Sequence, residues 1–175
     1  MNYMITSDQE IAAWFVGRLP EAWVQPTPPS ITVDREELTV IVSLEAPNLG
    51  ETASTEARGE AAAGRIAAWR SDTREARIAI ASEAQRRFER KVSWGAAIGE
   101  SRALFTHLSV PVMTRLRQPQ RQVLDTLVEA GVARSRADAL QWCVRLVGEH
   151  TEDWLSDLRA AMENVAAVRD QGPGV

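Results

Sequence analysis

A strand with no partner strand nearby constrains this chain more than any other feature. Residues 110–117 read VPVMTRLR. Val110, Val112, Thr114 and Leu116 fall on one face, and Pro111, Met113, Arg115 and Arg117 on the other. Period-two alternation marks a half-buried strand. The segments that follow are helical in pattern, so this strand must borrow its hydrogen-bonding partner. A second copy of the same segment supplies one. Pro111 has no N–H for a ladder and marks the strand's start or a non-bonded position.

The residues beyond it read as two amphipathic helices. Pro119 sits in a first turn, where its missing N–H costs little. Val123, Leu124, Leu127 and Val128 follow at helical spacing, and Gly131 ends the run as a residue free to adopt positive φ. Ser135 is an N-cap for the second helix, with Asp138 three residues on in a capping-box-like place. Ala139, Leu140, Cys143, Val144 and Val147 form its apolar stripe, widened by Trp142 and Leu146. The first-turn N–H groups, with Arg134 and Arg136 beside them, suit a phosphate. Arg115 and Arg117 project from one side of the strand, and the guanidinium fork matches phosphate and the guanine edge.

The strand VMTRL, the helix QRQVLDTLVEAG and the joint GVARSRADAL together resemble the ribbon-helix-helix family of DNA-binding proteins. The resemblance covers residues 108–147. It implies a homodimer with an intermolecular antiparallel ribbon in the major groove of double-stranded DNA. It further implies that Met113, Arg115 and Arg117 face the bases and that the helix start at Ser135 grips the backbone. Met113 departs from the family pattern, being apolar where a polar reader is usual. Arg117 departs too, standing where the helix-starting Pro is often found.

Charge sharpens this expectation. The chain of 175 residues carries a net charge of −4, which disfavours indiscriminate nucleic-acid binding. Yet Arg115, Arg117, Arg121, Arg134, Arg136 and Arg145 outnumber Asp125, Glu129 and Asp138 between Val110 and Val147. The stretch after Gly148 is acidic again. A locally basic unit in an acidic chain fits a site-specific binder. Arg-dominated basic residues, with Lys91 the single lysine, and abundant Ala suit a GC-rich bacterial genome.

The first part of the chain reads as a small α+β unit. Ser7 with Glu10 makes a capping-box start, and Ile11, Trp14 and Phe15 give that helix an aromatic side. QPTPPS, residues 25–30, is a stiff connector. Strands are expected at 31–33 and 38–44, joined as a hairpin, and a third at 92–98 ending at Gly99. Residues 54–91 place Ala62, Ile66, Trp69, Thr73, Ala76, Ile80, Ala84 and Phe88 at helical intervals. They predict one long helix, or two broken at Ser71-Asp72. The opposite face, with Arg70, Arg74, Arg86 and Arg90, reads as solvated. Thr151 is an N-cap candidate for a last amphipathic helix through Trp154, Leu155, Leu158, Met162 and Val165.

The expected organisation is therefore α+β and mostly helical. Residues 1–105 form an N-terminal domain with a small sheet and one long helix. Residues 106–170 form a dimeric ribbon-helix-helix with an extra C-terminal helix, and 171–175 a disordered tail.

Competing chemistry is sparse. His107 and His150 lack ligand spacing with Cys143, so no metal site is expected. Gly95 and Gly99 lack a phosphate-loop setting, and no cofactor is implied. His107 beside Thr106 and Ser109 reads as a structural histidine rather than part of a triad. One cysteine, no signal-peptide pattern and no membrane-length apolar run point to a cytoplasmic location. The expectation is a non-enzymatic, homodimeric, sequence-specific transcriptional regulator, with a protein partner or effector engaging the N-terminal domain. The alternative is a protein-interaction, scaffold or antitoxin-like module that dimerises through the same segment.

Overall fold

The computed structural model describes residues 7–50 and 52–171. The protein is α+β, with one four-stranded sheet and seven helices among the described residues. It divides into two compact units, one up to Pro111 and one from Val112.

In the first unit, helix α1 (Asp8–Arg18) begins at a complete capping box. Glu10 Oε2 accepts the Ser7 N–H at 2.7 Å, and Ser7 Oγ accepts the Glu10 N–H at 3.2 Å. Ile11 and Phe15, one turn apart, are fully buried. After Pro20 a single turn, α2 (Glu21–Val24), buries Trp23. Strands β1 (Ser30–Val33) and β2 (Glu37–Ser43) form the expected antiparallel hairpin. Its turn is held by Asp34, whose Oδ1 accepts the N–H groups of Glu36 and Glu37.

The long helical stretch is two helices, α3 (Thr55–Asp72) and α4 (Arg74–Phe88). The break falls at Thr73, whose hydroxyl donates to the Trp69 carbonyl at 2.6 Å. A side-chain hydroxyl competing for the backbone in this way bends a helix. The break also changes the buried phase. Ala62, Ile66, Ile80 and Ala84 point inward as expected, but Ala76 is exposed and Arg77 takes the buried position. A single unbroken 3.6-residue period does not survive the joint.

The α3–α4 crossover returns the chain to β3 (Lys91–Ile98), parallel to β2. Gly99, at φ 54°, turns it into β4 (Ser101–Leu104), which pairs antiparallel with β3. This fourth strand was not expected; SRAL is short and lacks β-branched residues. The sheet order is β1-β2-β3-β4. Its core joins Ile11, Phe15, Trp23, Leu38, Val40, Val42, Ile80, Ala84 and Trp94, and a second cluster sets Ala62 and Ile66 against Ala96 and Ile98. Phe15–Trp94 and Trp23–Trp94 meet edge to face, which suits the ring quadrupoles.

The second unit contains α5 (Gln118–Glu129), α6 (Arg136–His150) and α7 (Glu152–Gln171). Gly131, at φ 73°, makes the turn between α5 and α6. Thr151 does not cap α7 with its side chain. Its hydroxyl donates backward to the Val147 carbonyl and closes α6 instead. The tail expected at 171–175 lies, beyond Gln171, outside the described residues.

Candidate nucleic-acid interface

Residues 112–117 carry no helix or strand within the single chain. Among the described residues, no backbone–backbone hydrogen bond involves 112–116. Met113, Arg115 and Arg117 all stand exposed there, Met113 at 96% and Val112 beside it at 87%. Two contacts hold the segment's far end. Leu116 packs against the core of the helix pair. Its carbonyl accepts from Arg121 Nη1 at 2.7 Å. Arg117 has extended backbone and serves as the N-cap of α5, with its N–H donating to Gln120 Oε1 at 2.7 Å.

The start of α6 is built as the sequence implied, with one difference. Ser135 Oγ accepts the Asp138 N–H at 3.2 Å, and the Ala139 N–H closes on the Ser135 carbonyl. The Asp138 carboxylate does not complete a capping box. It accepts the Arg134 N–H at 2.9 Å, one residue earlier. The Arg136 and Ala137 amides are left at the open end of a four-turn helix, where the dipole favours an anion.

The two arginines there differ. The Arg134 side chain is 97% exposed, its Nε 3.8 Å from Asp138. Arg136 reaches across the helix pair to Asp125, Nε to Oδ1 at 2.6 Å and Nη2 to Oδ2 at 2.8 Å. That hydrogen-bonded fork holds the Asp125 carboxyl below the usual carboxylate range, with the charges of Arg136 and Arg121 adding to it. The same contact raises the Arg136 pKa. Asp125 and Arg121 are thus site residues that sequence reading passed over. Helical i,i+4 spacing finds partners along one helix, and an eleven-residue separation across a turn has no such signature.

The apolar surface of this unit is open. Only Leu124, Ala133 and Ala139 are buried among its described residues. Val123, Val144 and Val147 are each more than half exposed, as are Trp154, Met162 and Val165 on α7. Val112, Met113 and Leu116 line an open groove of about 390 Å³ with Leu124 and Leu140, and Arg121 and Arg136 lie at its edge. Among the described residues no cluster of three or more His, Cys, Asp or Glu is placed to hold a metal ion. No helix among the described residues is long and apolar enough to cross a membrane.

These features define a two-unit α+β protein whose second unit is a three-helix unit with a capped α5–α6 pair, an open apolar face and an exposed arginine-bearing lead-in. Residues 9–104 match the family described as Rv1265-like protein, N-terminal domain, and residues 117–169 match the Mb1296 C-terminal domain. The chain belongs to this Rv1265-like family. It is 57% identical over 162 residues to "Uncharacterized protein Mb1296" of Mycobacterium bovis and to "Uncharacterized protein Rv1265" of Mycobacterium tuberculosis. The match covers 93% of this chain and 70% of each relative. No solved structure matches the chain.

Proposed function

We propose that the protein is a sequence-specific DNA-binding transcriptional regulator that acts as a homodimer, with a binding rather than a catalytic role. Residues 110–117 of two copies pair as an antiparallel ribbon that enters the major groove. Met113, Arg115 and Arg117 meet base edges, while Arg134 and the amides at the start of α6 take a phosphate. The observation that carries this reading is that, among the described residues, 112–116 make no backbone–backbone hydrogen bond. Their exposed backbone donors and acceptors lie beside a helix pair with an open apolar face.

Magnitudes support joint formation of ribbon and helical core. Each new backbone hydrogen bond contributes roughly 0.5–1.5 kcal/mol net. Covering a half-exposed Val adds about 1 kcal/mol. Association costs about 4–15 kcal/mol, so ribbon and apolar face formed together offset it better than either does alone. Pairing two copies supplies both at once.

The test is selection of genomic DNA fragments by the full chain, followed by footprinting with the Arg115→Ala/Arg117→Ala double variant. Loss of sequence preference, with unchanged circular dichroism and dimer mass, is expected. Wild-type footprints from the double variant would reject the ribbon. So would stoichiometric recovery of a protein partner with no fragment retained.

A further inference from the structure

Strand β4 is a sheet edge with an unused side. The Phe105 N–H donates to the Trp94 carbonyl at 2.8 Å, and Ala103 and Ser101 stand opposite Ala96 and Ile98. In an antiparallel ladder these alternate residues bond inward to β3, so the N–H and C=O groups of Arg102 and Leu104 face outward. Among the described residues nothing pairs with them. Such an edge is a template for another strand.

Beside this edge runs an open groove of about 610 Å³ between α3 and β4, floored by Ala63, Ile66 and Phe105. Arg70 and Arg102 also line it. The Arg70 guanidinium lies 5.4 Å from the centre of the Phe105 ring, and the buried Arg77 guanidinium lies 5.0 Å from the same centre. Among the described residues no carboxylate comes within 4 Å of Arg70, Arg77 or Arg102. The chain as a whole carries more acids than bases. A cationic patch left without acids in an acidic protein, next to an apolar floor and a free backbone ladder, calls for an occupant with all three complements.

We propose that the β4 edge binds an extended acidic segment of a partner protein, which adds as a further strand alongside β4. Its aliphatic side chains fill the groove on the α3 face beside Arg70, and its alternating carboxylates meet Arg102 on the opposite face. Backbone pairing supplies affinity, and the period-two alternation supplies selectivity.

The experiment titrates the full chain with a fluorescein-labelled peptide of alternating valine and aspartate, read by anisotropy and by amide hydrogen exchange. Saturable binding is expected, with slowed exchange at the Arg102 and Leu104 amides. The surface variant Arg70→Ala/Arg102→Ala should bind about tenfold more weakly. Leu104→Pro removes an outward-facing N–H at an edge position, where proline is tolerated, and should weaken binding while β3 pairing persists. Unchanged exchange at Arg102 and Leu104 in the wild-type chain would overturn the proposal, whatever the variants do. So would equal binding of an unpatterned poly-aspartate peptide, which would reduce the site to non-specific charge attraction. Self-association that protects the same amides without peptide would assign the edge to a second copy and overturn it too.

Discussion

Arg136 at the start of α6 and Asp125 in the middle of α5 are joined by two parallel hydrogen bonds, at 2.6 and 2.8 Å. The pair locks the two helices across the Gly131 turn. It also means that one of the two arginines at the helix start is held by a close two-point carboxylate contact, while Arg134 is 97% exposed and has only a 3.8 Å contact to Asp138. Planar two-point pairing of this kind is the strong form of an Arg–carboxylate contact. Position in the sequence made the two arginines equivalent; the fold separates them.

That separation gives a prediction about salt. Arg134→Ala is expected to lower the slope of log affinity against log salt by about one, as loss of a free phosphate contact does. Arg136→Ala should change the slope less, because its guanidinium is already paired. Asp125→Asn should steepen the slope by releasing Arg136. Titrations of the full chain with DNA at several salt concentrations measure all three. Equal slope changes for Arg134→Ala and Arg136→Ala would contradict the assignment.

Gly95 is expected to tolerate no side chain. A Cβ there would lie 2.5 Å from Ile41 Cδ1 and 2.7 Å from the Ala103 carbonyl oxygen. Ile41 can shift, but the carbonyl belongs to β4 and cannot. Gly95→Ala should therefore destabilise the first unit by about 1–3 kcal/mol, the usual range for overpacking. Adding Ile41→Val should restore only part of the loss. Urea denaturation followed by tryptophan fluorescence decides it, and a loss below about 0.5 kcal/mol would show that the strands separate more easily than their register implies.

Acid should destabilise the two units through two separate carboxylates. Glu83 is held below the usual carboxylate range chiefly by the hydrogen bonds from Arg18, which tie α1 to α4, with the charges of Arg18 and Arg86 adding to them. Asp125 is lowered chiefly by the hydrogen bonds from Arg136. A folded-state pKa below the unfolded one gives stability that is present above the ordinary carboxylate pKa of about 4. It is lost as pH falls through the lowered value. Tm between pH 6 and pH 3 should fall less steeply in Glu83→Gln for the first unit and in Asp125→Asn for the second. Profiles parallel to wild type would show that these pairs contribute nothing to the acid response.

Much of the fold was legible in local patterns. Ser7–Glu10, Asp34, Gly99, Gly131 and Ser135 each act through neighbours within a few residues, so short-range chemistry places them. Three of the four strands were visible for the same reason. Strand β4 was not, because SRAL gains its ladder from β3 across the Gly99 turn rather than from its own composition. Arg77 was missed because its burial depends on the phase change at Thr73. It also depends on Trp69 and Phe105, which the fold brings from elsewhere to cover its guanidinium.

Sequence alone determined several helix starts and stops, such as those at Ser7, Gly131 and Ser135, which residues are apolar, and that residues 108–147 form a locally basic segment leading into two helices. These depend on backbone stereochemistry and on side-chain periods of two and 3.6 residues, which act over short distances. Tertiary structure decided which charges are free. Arg136 is paired with Asp125, Arg134 is open to solvent, and Arg70 and Arg77 share the Phe105 ring without a carboxylate. The physical reason is that an ion pair or a cation on an aromatic face depends on separation in space. Only the chain's return through α4, β3 and β4, or around Gly131, brings those groups together.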